Sequence, residues 1–285
     1  MDKSPIPKRP VVTVHPKMPA ALNAAEDVAT FLRERGLPAP TGSLYDEDLR
    51  RRVKEGEFDI LVAIGGDGTM LRAGHLCAPY HLPILGINLG RVGFLIQVQR
   101  DEWPEALEAL LRGEYWIEKR LMLRTEHYRA GERQGTWYAL NEAVIGRGQY
   151  MRPVRLSASV DGHLLTTYIA DGLIAATPTG STAYALAAGG PILPPELRNI
   201  LLVPIAPHLS VDRAVVLAEG ASVSITVHTE NAILSVDGQS PIGLTEGDRV
   251  EVRAGEYPAL FVRFGDQGYF YRNLTAHMNQ NPSLT

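Results

Sequence analysis

The pattern of apolar and polar positions changes its period about 113 residues into the chain. Before that point short apolar runs, residues 11–14 (VVTV), 58–64 (FDILVAI) and 83–88 (PILGIN), alternate with stretches of helical spacing. Ala21, Leu22, Ala25, Val28, Ala29 and Leu32 recur every three or four residues until Gly36 and Pro38 stop the helix. A further helix is predicted from Asp101 as N-cap through Leu107, Leu110 and Leu111 to Gly113. Runs that are apolar on both faces are those of buried parallel strands, and their alternation with helices predicts a Rossmann-like, doubly wound α/β domain over residues 1–113.

Beyond Gly113 the period is two. Val154, Leu156, Ala158 and Val160 alternate with Arg155, Ser157 and Ser159, and Asp161 with Gly162 supplies a hairpin turn. Similar short segments follow at 199–205, 214–218, 222–228, 233–236 and 249–252. This predicts a mostly β, sandwich-like domain over residues 114–264, with one short helix after Gly180; the C-terminal 265–285 is expected to pack back onto the first domain. No internal repeat or low-complexity tract interrupts either part.

Composition narrows the function classes. With 285 residues, 45% of them hydrophobic, each domain is large enough to bury a core without disulfides or structural metal. The 28 Lys and Arg against 32 Asp and Glu give a net charge of -4, which lacks the basic excess that holds nucleic acid. The single cysteine, Cys77, reads as a small buried hydrophobe in a reducing compartment. The start of the chain carries no secretory apolar region, and no run reaches the roughly 18 apolar residues of a spanning helix, so a cytoplasmic protein without membrane partners is expected. The 8 histidines, His75, His81 and His208 among them, show no zinc-site spacing, and no protein-held metal site is expected. Tyr115, Trp116, Trp137 and Tyr138 fall in strand-like segments as core or interface residues.

Chemistry concentrates in three places. Gly65, Gly66, Asp67, Gly68 and Thr69 follow an apolar strand and open a helix containing Met70, Leu71 and Ala73, where open α/β sheets bind ligands. The glycines let backbone N–H groups approach phosphate oxygens. Asp67 is the one carboxylate in that loop: a base, a partner of Mg²⁺, or a simple helix cap. A second cluster, Gly86, Gly90 and Gly93 with Arg91 and Phe94, either walls the same crevice or is an ordinary strand-to-helix turn. Asn141 and Glu142 set an amide beside a carboxylate; neighbouring strand residues point to opposite faces, so one of them at most fills a given pocket unless a bulge intervenes, and a solvated strand end is the alternative. Residues 171–190 (DGLIAATPTGSTAYALAAGG) place Asp171, then Thr177, Thr179, Ser181 and Thr182 around Gly180, where hydroxyls and a helix N-terminus suit an anion. Arg72, Arg91, Arg147 and Arg152 are the local cations available to offset the acidic field.

GGDGT at 65–69, NE at 141–142 and the 171–190 stretch, in this order, with SVDGQ at 235–239, resemble the NAD kinases over nearly the whole chain. The resemblance implies transfer of the terminal phosphoryl group of ATP, or in some members polyphosphate, to the 2′-hydroxyl of the adenosine ribose of NAD, with Mg²⁺ on ATP, and a homodimer or homotetramer that shares parts of a site between subunits. By position it makes Asp67 the proton acceptor, Gly68 a wall of the nucleotide site, and Arg72 a phosphate-facing cation. Asn141 and Glu142 would bond NAD, Asp171 its nicotinamide end, and Thr182, Ala183, Tyr184, Ala185, Leu186 and Ala187 its adenosine part. Arg152 and Gln239 match further contacts. Two places depart from the family: Ile169 stands where a basic residue is usual, and residues 207–210 (PHLS) are one residue short.

Two other readings share part of this pattern. Lipid kinases of the diacylglycerol type carry a GGDGT loop but have no need of TAYALA and require a route to the membrane, for which no basic amphipathic helix is present. A non-catalytic NAD or NADP sensor would need no carboxylate at Asp67.

Overall fold

In the computed structural model the described residues are 3–14, 19–90, 93–148, 152–208 and 212–279. The first unit comprises residues 1–119 and 259–285, the second 120–258. In chain order the elements are β1 (Pro10–Val14), α1 (Pro19–Glu34), β2 (Thr41–Ser43), α2 (Glu47–Lys54), β3 (Ile60–Gly65), α3 (Asp67–Cys77), β4 (Ile84–Asn88), β5 (Val98–Gln99), α4 (Trp103–Leu111) and β6 (Trp116–Arg120). Next come β7 (Leu123–Arg129), β8 (Glu132–Ala139), β9 (Glu142–Arg147), β10 (Val154–Val160), β11 (His163–Ala170), β12 (Gly172–Ala176), α5 (Tyr184–Ala187), β13 (Asn199–Ile205) and β14 (Val215–Ala218). The chain continues through β15 (Val223–Val227), β16 (Ala232–Val236), β17 (Ile242–Leu244), β18 (Arg249–Ala254), β19 (Ala259–Arg263) and α6 (Tyr269–Asn279).

The sheet of the first unit runs β2-β1-β3-β4-β19-β6, with β5 on β4. The pairs among β1 to β5, and β19 with β4, are parallel. Ile60, Val62, Ile64, Leu85 and Ile87 face Ala25, Val28 and Leu32 of α1 and Leu107 and Leu110 of α4. On the other face α3 lies so close to β4 that a Cβ on Gly86 would stand 2.7 Å from Met70 Sδ. Helices on both faces explain why these strands are apolar throughout. Strand order reverses between β1 and β3, which puts the loop after β3 at the switch point.

Trp116–Arg120 and Ala259–Arg263 both join this sheet, which sets the division at 119/120 and 258/259, against the 113/114 and 264/265 expected from the change of period. Glu118 and Arg263 are 5% and 1% exposed and form a buried ion pair, and the Tyr269 hydroxyl donates to Glu118 at 2.8 Å. The start of α6 is thereby tied to the sheet. The expected cap of α4 is corrected: Glu102, not Asp101, occupies the cap position, and its carboxylate accepts the Gln99 N–H at 2.9 Å. Pro104, in the first turn of α4, has no N–H to cap.

The second unit is a pair of six-stranded sheets, β11-β10-β15-β18-β7-β8 and β14-β13-β12-β9-β16-β17, antiparallel at every described pairing. Leu156, Ile225 and Val250 of one pack with Ile145, Leu173, Ile200 and Leu234 of the other, a sandwich core. Asp161 and Gly162 both have positive φ, 51° and 81°, as the tight β10–β11 turn requires. Among the described residues no helix is long and apolar enough to cross a membrane.

Candidate functional site

In the first unit the site is the loop that joins β3 to α3. Gly66 occupies the cap position of α3 and makes no side-chain cap, and its carbonyl accepts the Thr69 N–H at 2.8 Å. Nothing lies within 4 Å of where a Cβ of Gly66 or Gly68 would be, so this backbone is open to close approach by a ligand. Gly65 is glycine for another reason: a Cβ there would stand 2.9 Å from Thr69 Cβ and closer to its hydroxyl. Asp67 is the first residue of α3 but does not cap it. Its carboxylate accepts the Phe94 N–H at 2.9 Å on Oδ2 and the Leu95 N–H at 3.3 Å on Oδ1. The two glycine clusters thus meet: Leu89 N–H donates to Gly65 O at 3.3 Å, and the adjacent parallel strands β3 and β4 hold both loops at one edge. Arg91 lies outside the described residues. Arg72 is exposed and sits over the Tyr45 ring, 4.8 Å from its centre.

In the second unit strand register does the assembling. Ala176 pairs with Glu142 and Val236 with Ala143, so the residues just past those pairs, Thr177, Asn141 and Asp237, come together at one end of the sheet. Asp237 accepts three successive backbone N–H groups, Leu140 at 2.7 Å and Asn141 and Glu142 at 2.9 Å. This fixes the corner in which Asn141 and Glu142 stand. Opposite it, a Cβ on Gly180 would lie 2.5 Å from the Asn141 carbonyl carbon and closer still to its oxygen, so only glycine fits. Glu142 is 8% exposed, and its Oε2 has no hydrogen-bond partner among the described residues. Burial, with the neighbouring charge of Asp237, pushes its carboxyl up to about 8, against the pull of the Tyr184 backbone N–H. Gln239 is exposed on the Asp237–Gly238 turn at the same end.

The expectation that four hydroxyls and a helix N-terminus would face an anion is corrected. Thr177 and Ser181 are fully buried: Thr177 donates to Leu140 O, and Ser181 donates to Pro178 O at 2.6 Å and accepts the Leu193 N–H. Thr179 is buried and accepts from Arg120 at 3.2 Å, while Thr182, partly exposed, donates to Thr179 O. These side chains compete with a regular helix for backbone groups, so a 3-10 turn over Gly180–Thr182 and the four-residue α5 replace one. Of the TAYALA residues, Ala185 is fully buried against Ile174 and Leu201; Thr182 and Ala183 are partly exposed, and Tyr184, Leu186 and Ala187 are exposed.

Not every expected residue reaches that corner. Asp171 and Arg147 stand at the opposite end of β9, paired at 3.4 Å, roughly 17 Å along the strand from Glu142 at about 3.4 Å per residue. Arg147 and exposed Arg152 line a depression of about 380 Å³ with Thr229 and Asn231. Ile169, at the position usually basic, is 45% exposed, and its carbonyl accepts the His208 N–H at 2.7 Å. Of the short PHLS segment, residues 209 and 210 lie outside the described residues. Sequence reasoning assigned Asp237 no role, because an Asp-Gly pair signals a turn and not the three N–H groups that the turn aligns.

Residues 12–115 match the ATP-NAD kinase N-terminal domain and residues 140–264 the ATP-NAD kinase C-terminal domain. The chain is similar to the NAD kinase of Heliobacterium modesticaldum, 38% identical over 94% of this chain and 98% of the relative. It is equally similar to that of Chloroflexus aurantiacus, 38% identical over 96% and 99%. Its fold is similar to yeast NADH kinase complexed with NADH, with a TM-score of 0.86 and 25% identity over 99% of this chain and 89% of that one. It is also similar to an NAD kinase from Archaeoglobus fulgidus in complex with ATP, with a TM-score of 0.74 and 28% identity over 95% and 98%. A GGDGT loop built around an oriented carboxylate, an Asn-Glu corner fixed by Asp237, and these matches over both parts of the sequence show that the chain belongs to the NAD kinase family.

Proposed function

We propose that the protein transfers the terminal phosphoryl group of ATP to the 2′-hydroxyl of the adenosine ribose of NAD, with Asp67 as the base. The observation that carries this reading is the Asp67 carboxylate, the one acid in a glycine loop open to phosphate, held by two backbone N–H groups that leave each oxygen a further lone pair. The ribose hydroxyl gives its proton to Asp67, its oxygen bonds the γ-phosphorus, and the bond from that phosphorus to the bridging oxygen breaks with its electron pair leaving on ADP. Such a transfer requires alignment and charge stabilisation more than covalent help from the protein.

NAD is bound by Asn141, Glu142, Gln239 and the TAYALA segment, whose exposed or partly exposed members are Thr182, Ala183, Tyr184, Leu186 and Ala187. Ala185 is buried and serves as the anchor of that segment. The open backbone of Gly66 and Gly68, with Arg72, serves the phosphates. Asp67 as a single carboxylate fits a Mg²⁺ ion that is carried mainly by nucleotide phosphates, where the ion supplies charge stabilisation.

Asp171 and Arg152, at the far end of β9, act on NAD in a homodimer or homotetramer by contributing to a neighbouring copy's site. Leu164, Leu165 and Ile169, all exposed on the edge strand β11, support an apolar contact between copies. The fully buried Cys77, whose thiol burial pushes up, suits the cytoplasm.

The test is NADP formation from NAD, ATP and Mg²⁺, read by an NADP-specific dehydrogenase, with polyphosphate and NADH as alternative substrates. Product from ATP and NAD supports the proposal. Tight NAD binding with no product from any donor would indicate a sensor.

A further inference from the structure

Asp67 is seated by a loop 27 residues away in sequence, and the seat exists only because position 93 has no side chain. A Cβ on Gly93 would stand 2.5 Å from Asp67 Oδ2 and nearer still to Cγ and Oδ1, directly against the carboxylate. Gly93 is followed at once by the two donors, Phe94 N–H to Oδ2 and Leu95 N–H to Oδ1. Leu95 is 3% exposed and Ile96, next to it, 1%, so the core holds the Leu95 donor against retreat, with partly exposed Phe94 directly before it. A larger residue at 93 therefore has one inexpensive outlet, rotation of the Asp67 side chain off its two N–H groups.

We infer that Gly93 is a positioning residue for phosphoryl transfer: its bare backbone lets Phe94 and Leu95 N–H hold the Asp67 carboxylate in the single orientation from which it takes the hydroxyl proton. The inference rests on Asp67 being the base. Two N–H groups, one on each oxygen, remove the carboxylate's rotational freedom before substrate arrives, and a misplacement of about 1 Å in such a group costs on the order of 10²-fold in rate. The second glycine cluster is then part of the catalytic apparatus through backbone geometry, without a side chain of its own touching substrate.

The test is a double-mutant cycle on kcat and on KM for NAD with Gly93→Ala, Asp67→Asn and the double variant. Gly93→Ala is expected to lower kcat by ten- to a hundredfold with KM for NAD within about twofold, and the double variant to be no slower than Asp67→Asn alone. An unchanged kcat in Gly93→Ala, or losses that multiply in the double variant, would overturn the inference. Wild-type turnover in Asp67→Asn would instead overturn the base assignment. Should Gly93→Ala not fold, amide NMR of Asp67→Asn decides: the Phe94 and Leu95 N–H resonances are expected to move while that of Gly90, bonded to Asn88, stays in place. Unmoved Phe94 and Leu95 resonances would also contradict it.

Discussion

The backbone N–H of Glu142 donates to Asp237 Oδ1 at 2.9 Å, so the carboxylate that fixes the Asn141 corner also sets a negative charge beside the buried Glu142 carboxyl. Burial is the larger cause and Asp237 the second, and together they put Glu142 at about 8. In the unfolded chain a glutamate titrates near 4.3, so between that value and about 8 the folded protein keeps a proton the unfolded chain has lost. Stability is full below this window and falls as pH rises through it, by up to about 1.4 kcal/mol per pH unit. Urea midpoints should fall between about pH 5.5, inside that window, and about pH 8, its upper end, for the wild type and change little for Glu142→Gln; parallel behaviour of the two proteins would remove Glu142 as the cause.

Gly180 stands against the Asn141 carbonyl without room for a methyl group. Gly180→Ala is expected to cost about 1–3 kcal/mol of stability and, by displacing Asn141, to weaken NAD binding about tenfold. Urea unfolding and calorimetry measure the two effects. Unchanged binding would separate Asn141 from the NAD site.

Leu164 and Ile169 are 67% and 45% exposed on an edge strand, an arrangement that leaves apolar surface uncovered at the rim of the sheet. Changing both to Glu should shift the protein to a smaller species in sedimentation velocity while leaving circular dichroism unchanged. A wild type that already sediments as a monomer would end the shared-site account of Asp171 and Arg152.

Glu118 is the buried counter-charge of Arg263 and the acceptor for Tyr269. Glu118→Gln leaves the guanidinium buried without its charge partner, a change worth about 3–5 kcal/mol. Thermal unfolding measures the loss, and amide exchange in α6 should speed up with it. A loss below about 1 kcal/mol would show that Arg263 finds a substitute.

Strands β1, β3 and β4 and the β10–β11 hairpin were legible because their signals are local: apolar runs for the three strands, and alternation closed by Asp161-Gly162 for the hairpin. α2 was missed because Leu49 and Val53 are its only buried residues among charges, and β7 because Glu126 and His127 lie buried where apolar residues are expected. His127 is held by Asp248 at 2.9 Å, a partner 121 residues away that no local pattern announces. The motif residues of the candidate site could be named in order from the sequence, but their grouping could not. Asn141, Gly180 and Asp237 meet through the registers of β9 with β12 and β16, and the same registers carry Asp171 to the other end. The hydroxyls of Thr177 and Ser181 looked available for a ligand because their acceptors, Leu140 and Pro178 carbonyls, are visible only once the segment has folded.

The most direct test of the account is the rate of NADP formation by Asp67→Asn protein beside its calorimetric affinity for NAD. A base contributes about 10²- to 10⁴-fold, so kcat is expected to fall by that factor with the Kd for NAD within a few-fold of wild type. Turnover preserved at wild-type level in a folded Asp67→Asn protein would contradict Asp67 as the base, and with it the mechanism built on the loop.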